Sequence, residues 1–197
     1  MLSFLHSWDV GLFILINQKG QNYFFDWFMP FMTDLNNFIY VFPLLAIWIL
    51  WKERGNGIMT LVFLGLTLSV TDQFSSHLLK EWVGRVRPCH VLEQVRLVAT
   101  DCNTSYSFPS SHAVNIFAAS YFLSHSLKRF AFVFYLIAAL VAYSRVYIGI
   151  HYPLDNILGA GIGIVVAWPL WRVCDLTKKR ITTRSRGTHL PEVKNGR

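Results

Sequence analysis

Charge is scarce in this 197-residue chain: Asp, Glu, Lys and Arg together make up 15% of it, against 53% hydrophobic residues. Soluble domains carry about a quarter charged residues, so an ordinary water-soluble globule is excluded, and the mean hydropathy of +0.38 agrees. Cysteine is also scarce. Three residues are too few for a disulfide-built scaffold, and Cys89 beside His90 matches no zinc-ligand spacing, so no metal and no cofactor are expected. Acidic side chains are outnumbered, 11 against 18 Lys and Arg. The resulting charge of +7 is concentrated at the C-terminal end, where Lys178, Lys179, Arg180, Arg184 and Arg186 could meet anionic headgroups. Aromatics do not interleave with this run, so nucleic acid is not expected as a partner. There is no repeat, low-complexity run or domain boundary. Residues 1–175 read as one membrane-embedded domain and residues 176–197 as a basic, disordered tail.

Long apolar stretches are what the chain has in abundance: 37–52, 58–80, 129–147 and 154–174, with a fifth at 110–126 that is polar at its start. Each approaches the roughly 20 residues a helix needs to cross about 30 Å of hydrocarbon. The expected fold is all-α, an integral membrane helical bundle with five or six transmembrane helices. Residues 4–16 are apolar but short and interrupted by His6 and Asp9. With no basic leader or small-residue cleavage site they read as an N-terminal interfacial helix rather than a signal peptide. The segment 22–33, with Asp26 and Pro30, reads as a second interfacial helix or part of a sixth span. Lys and Arg are retained on the cytoplasmic side. Alternating the spans gathers Lys52, Arg54, Lys128, Arg129 and the basic C-terminal end on that side, leaving Lys80, Arg85, Arg87, Arg96 and Arg145 outside. Cys89 and Cys102 share an outward loop, where an oxidising compartment permits a disulfide. Such a bond would stabilise by about 3 kcal/mol in the chain-entropy model; two unpaired thiols are the alternative.

Three clusters of ionisable and hydroxyl residues fall at the outward ends of these stretches, and a bilayer makes charge there costly unless it handles something. Lys80 and Arg87 are seven residues apart, two helical turns, so a helix continuing that far presents both on one face before Pro88 stops it. Taken alone, cations at a helix end are most simply snorkelling side chains, and Arg85 fits that account best. In the second cluster Pro109 reads as the first residue of a helix. The N–H groups of Ser110, Ser111 and His112 are then unpaired donors at a helix N-terminus, suited to phosphate oxygens. A plain serine-capped helix is the alternative. His112 in that first turn could protonate a leaving oxygen. In the third cluster His151 precedes Pro153, a second helix start, and Asp155 lies four residues on, where its carboxylate can orient one imidazole nitrogen and leave the other a free lone pair. A buried histidine paired for stability is the alternative. Arg145 ends the preceding span, Gly149 lets the chain turn, and Ser144 could do no more than bond the backbone. Asp72, inside a span, is either functional or a helix-packing group.

Lys80 to Arg87-Pro88, then Pro109-Ser110-Ser111-His112, then Ser144-Arg145 to His151 to Asp155 resembles the three-part motif of the type 2 phosphatidic acid phosphatase superfamily, over about residues 80–155. One departure is Ser111, where the family usually has Gly. The resemblance implies a six-helix membrane fold and metal-independent dephosphorylation of a membrane lipid phosphate. By the same resemblance His151 is the nucleophile that becomes a phosphohistidine, with Asp155 orienting it. His112 is the acid for the leaving group, and Lys80, Arg87, Ser110, Ser111 and Arg145 are the phosphate ligands. The expected setting is a bacterial inner membrane, with the site facing the periplasm or exterior and the C-terminus cytoplasmic. Undecaprenyl diphosphate is the first expected substrate. Phosphatidylglycerol phosphate, phosphatidic acid and lipid A 1-phosphate are alternatives, as is transfer of the phosphoryl group to a lipid acceptor.

Overall fold

The computed structural model describes residues 2–187, and those residues are all helix, turn or loop. The helices are α1 (Leu2–Ile14), α2 (Tyr23–Thr33), α3 (Val41–Glu53), α4 (Gly57–Gln73), α5 (Lys80–Val83), α6 (Pro88–Val91), α7 (Ser111–Ser126), α8 (Ala131–Tyr147) and α9 (Pro153–Gly187). Three helical stretches, Val41–Val91, Lys128–Tyr147 and Pro153–Thr183, are long and apolar enough to cross a bilayer. The first of them reverses direction after Glu53. A Cβ on Gly57 would lie 2.8 Å from the Leu50 Cα, whereas seven residues along one straight helix span roughly 10 Å. Hence α3 and α4 form a hairpin. Between α4 and α5 the backbone widens into a π-helical segment, Phe74–Leu79.

Helix α7 is the hub, packing on α4, α8 and most extensively α9. Without a hydrophobic driving force inside lipid, helices associate through small residues that let backbones approach. Gly163 does this for α9: any Cβ there would overlap the Val114 carbonyl oxygen of α7. Asp72 turns out to be part of the same packing. It accepts from Asn115 Nδ2 at 2.9 Å, and Asn115 Oδ1 accepts from the Thr71 hydroxyl at 2.8 Å, which ties α4 to α7.

The two ends of the bundle differ in charge. At one end Lys178 donates to Glu53 at 2.6 Å, and Lys52 lies over the Trp48 and Phe130 rings, so the α3–α4 turn, the α7–α8 turn and the far part of α9 come together. The three sequence clusters lie at the other end. Helix α1 is also at that end. Its Asp9 and Phe13, with Asn17 of the following π-helical segment Leu15–Lys19, face the protein interior, while Phe4, Leu5, Trp8 and Leu12 are exposed.

Two expectations need correction. The basic segment after residue 175 is not disordered as far as Gly187, because α9 runs unbroken to that residue; the ladder of one new hydrogen bond per residue carries the helix past the composition change. Residues 188–197 lie outside the described residues. The helix bearing Lys80 also does not reach Arg87. It ends at Gly84, in the left-handed conformation with φ 62°, and Pro88 starts a new short helix instead of stopping one.

Candidate active site

The helix predicted from Pro109 starts two residues later. Ser110 is its N-cap, its hydroxyl accepting from the Ala113 N–H at 3.5 Å, because a side-chain acceptor suits that position and proline has none. Pro109 precedes the cap through a cis Phe108–Pro109 bond. The Ser110 N–H is not a free donor as expected; it donates to the Asp155 carbonyl at 3.2 Å. The N–H groups of Ser111 and His112 remain open in the first turn of α7, at the positive end of a helix dipole. The Ser111 hydroxyl shares a 3.0 Å hydrogen bond with Ser76, from the π-helical segment.

Helix α9 starts at Pro153 as expected, with Asp155 in its first turn. The Asp155 carboxylate reaches back to accept from the Tyr152 N–H at 2.9 Å, the reciprocal half of a capping box. The same oxygen accepts from Ser107, and the other accepts from Arg85 Nη1 at 2.6 Å. His151 Nδ1 lies 3.7 Å from Asp155 Oδ2 and has no nearer partner among the described residues. That separation is longer than a hydrogen bond.

Arg87 is buried and held by three donations, from Nε to the Ser105 carbonyl at 2.8 Å, from Nη2 to the Ser105 hydroxyl at 2.9 Å and from Nη1 to the Ile150 carbonyl at 3.0 Å. Its Nη1 also stands 3.4 Å from His151 Nε2. A guanidinium has donors and no acceptor, so Nε2 presents its lone pair and the imidazole proton sits on Nδ1, toward Asp155. Burial pushes His151, in the loop between α8 and α9, below the ordinary histidine range, which keeps the ring neutral. Arg145 donates from Nη1 to Thr33 of α2 at 2.6 Å, and its buried Nε has no partner among the described residues. The Lys80 and His112 side chains make no hydrogen bond among the described residues. Both lie within electrostatic reach of Arg87 and Arg145, and His112 of His151 as well. The fold thus gathers Lys80, Arg87, Ser110, Ser111, His112, Arg145, His151 and Asp155 at one end of the bundle. Ser144 stands apart, its hydroxyl bonded to the Val141 carbonyl at 2.7 Å.

A family model described as PAP2 superfamily matches residues 57–178, a span containing all three clusters. The chain belongs to the PAP2 superfamily. Among its relatives, a lipid A 4'-phosphatase of Bacteroides thetaiotaomicron is 30% identical over 178 residues, covering 85% of this chain and 77% of the relative. An undecaprenyl-diphosphatase of Sulfolobus acidocaldarius is 29% identical over 80% of this chain and 74% of its own. The crystal structure of Aquifex aeolicus LpxE superposes with a TM-score of 0.66 at 28% identity, covering 83% of this chain and 94% of that one. The first two PAP2 relatives are named phosphatases of lipid phosphates, and the fold is that of an integral membrane member of the family.

Residues passed over in the sequence also lie at the candidate site. Arg85, read as a snorkelling side chain, instead lies between two buried carboxylates, Asp155 and Asp9, at 2.6 Å from each. Ser105 and Ser107, in the loop before α7, hold Arg87 and Asp155 respectively. Arg85 lies only two residues from Arg87, but Asp9 lies 76 residues away from its partner, and nothing in local spacing connects that pair. Cys89 and Cys102 are joined by a disulfide that closes the start of the same loop.

Proposed function

We propose that this PAP2 protein is a metal-independent lipid phosphatase that hydrolyses a phosphomonoester or diphosphate of a membrane lipid through a phosphohistidine. The observation that carries the reading is the pairing of His151 Nε2 with Arg87 Nη1 at 3.4 Å: a lone pair next to a cation that can hold the phosphoryl oxygens. Phosphoryl transfer asks mainly for positioning and charge stabilisation. Lys80, Arg87, Arg145 and the Ser111 and His112 amides supply both. His151 Nε2 attacks phosphorus as the bond to the leaving oxygen breaks, and His112 gives that oxygen its proton. Water then attacks phosphorus, His112 takes the proton of the water, and the P–N electron pair returns to Nε2. One histidine must be neutral and the other protonated, so activity follows a bell-shaped pH curve.

The substrate headgroup lies at the extracytoplasmic leaflet of a bacterial inner membrane, with five or six spans in the bundle, α1 at the interface, and the Glu53–Lys178 end cytoplasmic. The positive-inside distribution of Lys and Arg supports this orientation. Undecaprenyl diphosphate is the first substrate assigned. A lipid A phosphate is the second, favoured by the 30% identity to the lipid A 4'-phosphatase. Purified protein incubated with chelator and a panel of lipid phosphates should release orthophosphate. Absence of release from every lipid phosphate, or complete dependence on added divalent metal, would refute the proposal.

A further inference from the structure

We infer that Asp9 and Arg85 are positioning residues for the nucleophile: Asp9 of the N-terminal helix clamps Arg85, and Arg85 holds the Asp155 carboxylate beside His151. The inference rests on the reading of His151 as nucleophile. The guanidinium is shared as a fork, Nη1 to Asp155 and Nη2 to Asp9, each at 2.6 Å, and it stacks 4.0 Å above the Tyr152 ring. Both carboxylate side chains are fully buried. The second Asp9 oxygen accepts from the Leu154 N–H at 2.9 Å, so α1 is fastened to the helix start that carries Asp155.

Charge explains why an aspartate stands at position 9. A neutral amide oxygen would satisfy the Leu154 N–H equally well, and burying a carboxylate is costly without a strong reason. Arg85 with Asp155 alone sums to zero, which would leave nothing to balance the positive imidazole that forms when His151 Nε2 bonds to phosphorus. Adding Asp9 makes the cluster net negative while the fork still fixes the Asp155 plane. With Oδ1 held by Arg85 and Oδ2 by Ser107 and Tyr152, the carboxylate has little freedom to turn, and it faces the partnerless Nδ1 across 3.7 Å.

The test uses the full chain in detergent and two probes, inorganic phosphate and orthovanadate. Phosphate needs only the cationic cradle, whereas vanadate expands to five-coordination by bonding the histidine nitrogen. In Asp9→Asn, which keeps the acceptor for Leu154, orthovanadate affinity should fall about tenfold with phosphate affinity unchanged, and kcat should fall about tenfold at constant KM. Arg85→Lys, which keeps the charge but loses the fork, should behave alike and serves if Asp9→Asn does not fold. Equal affinity for vanadate in wild type and variant, or parallel loss of both anions, overturns the inference. A wild type that binds vanadate but hydrolyses no lipid phosphate would sink the proposed activity while the anion comparison still decides this point. Failure of the wild type to bind vanadate overturns both.

Discussion

His151 carries its lone pair on Nε2 because its neighbour there, Arg87, can only donate. Replacing it with alanine should abolish orthophosphate release, by about a thousandfold or more, and leave the thermal unfolding midpoint close to that of the wild type. Retained activity would end the nucleophile assignment. The pH dependence belongs to this residue too. Burial lowers its proton affinity, so protonation silences it only well below the ordinary histidine value of about 6.5. The acid limb of kcat/KM should therefore fall below that pH; a limb centred at or above it would contradict the buried, neutral ring. At this scale residue types and spacing pointed to His112, His151, Asp155 and the cations, which the fold brings to one end of the bundle. The part that was not readable is Arg85, because a cation at a helix end looks the same whether it snorkels or grips two buried acids.

Elements carry the second set of consequences. The α7–α9 contact depends on Gly163 having no side chain, and it aligns the Ser111–His112 turn with the helix start bearing Asp155. Gly163→Ala should cost about 1–3 kcal/mol through overpacking, measured as a lowered unfolding midpoint in detergent, with phosphate release falling in parallel. The loop between α6 and α7 is closed at its base by Cys89–Cys102, a separation of 13 residues, and Ser105, three positions further on, holds Arg87. Replacing both cysteines with serine should remove about 3 kcal/mol of stability in the chain-entropy model, checked by comparing midpoints with and without reductant. Helix existence was legible from apolar length. Helix ends were not: Gly84 stops the Lys80 helix ahead of Pro88, and Ser110 caps α7 after Pro109, because backbone conformation and side-chain acceptors decide termini and several residues nearby could have served.

Across the whole molecule the segregation of charge sets the orientation. In a Cys174→Ser background, Thr104→Cys should react with a membrane-impermeant maleimide in intact cells, and Gly55→Cys only after the membrane is opened; the reverse pattern would invert the proposed topology. The amino-acid order alone determined that this is a helical membrane protein of the PAP2 type, because scarcity of charge, span-length apolar runs and three closely spaced motifs are local properties. Tertiary structure alone decided which distant groups meet. Asp9 reaches Arg85, Thr33 reaches Arg145 and Asn115 reaches Asp72, since a buried charge or amide must find a partner somewhere in the fold, and that partner's place in the chain is set by how the helices pack.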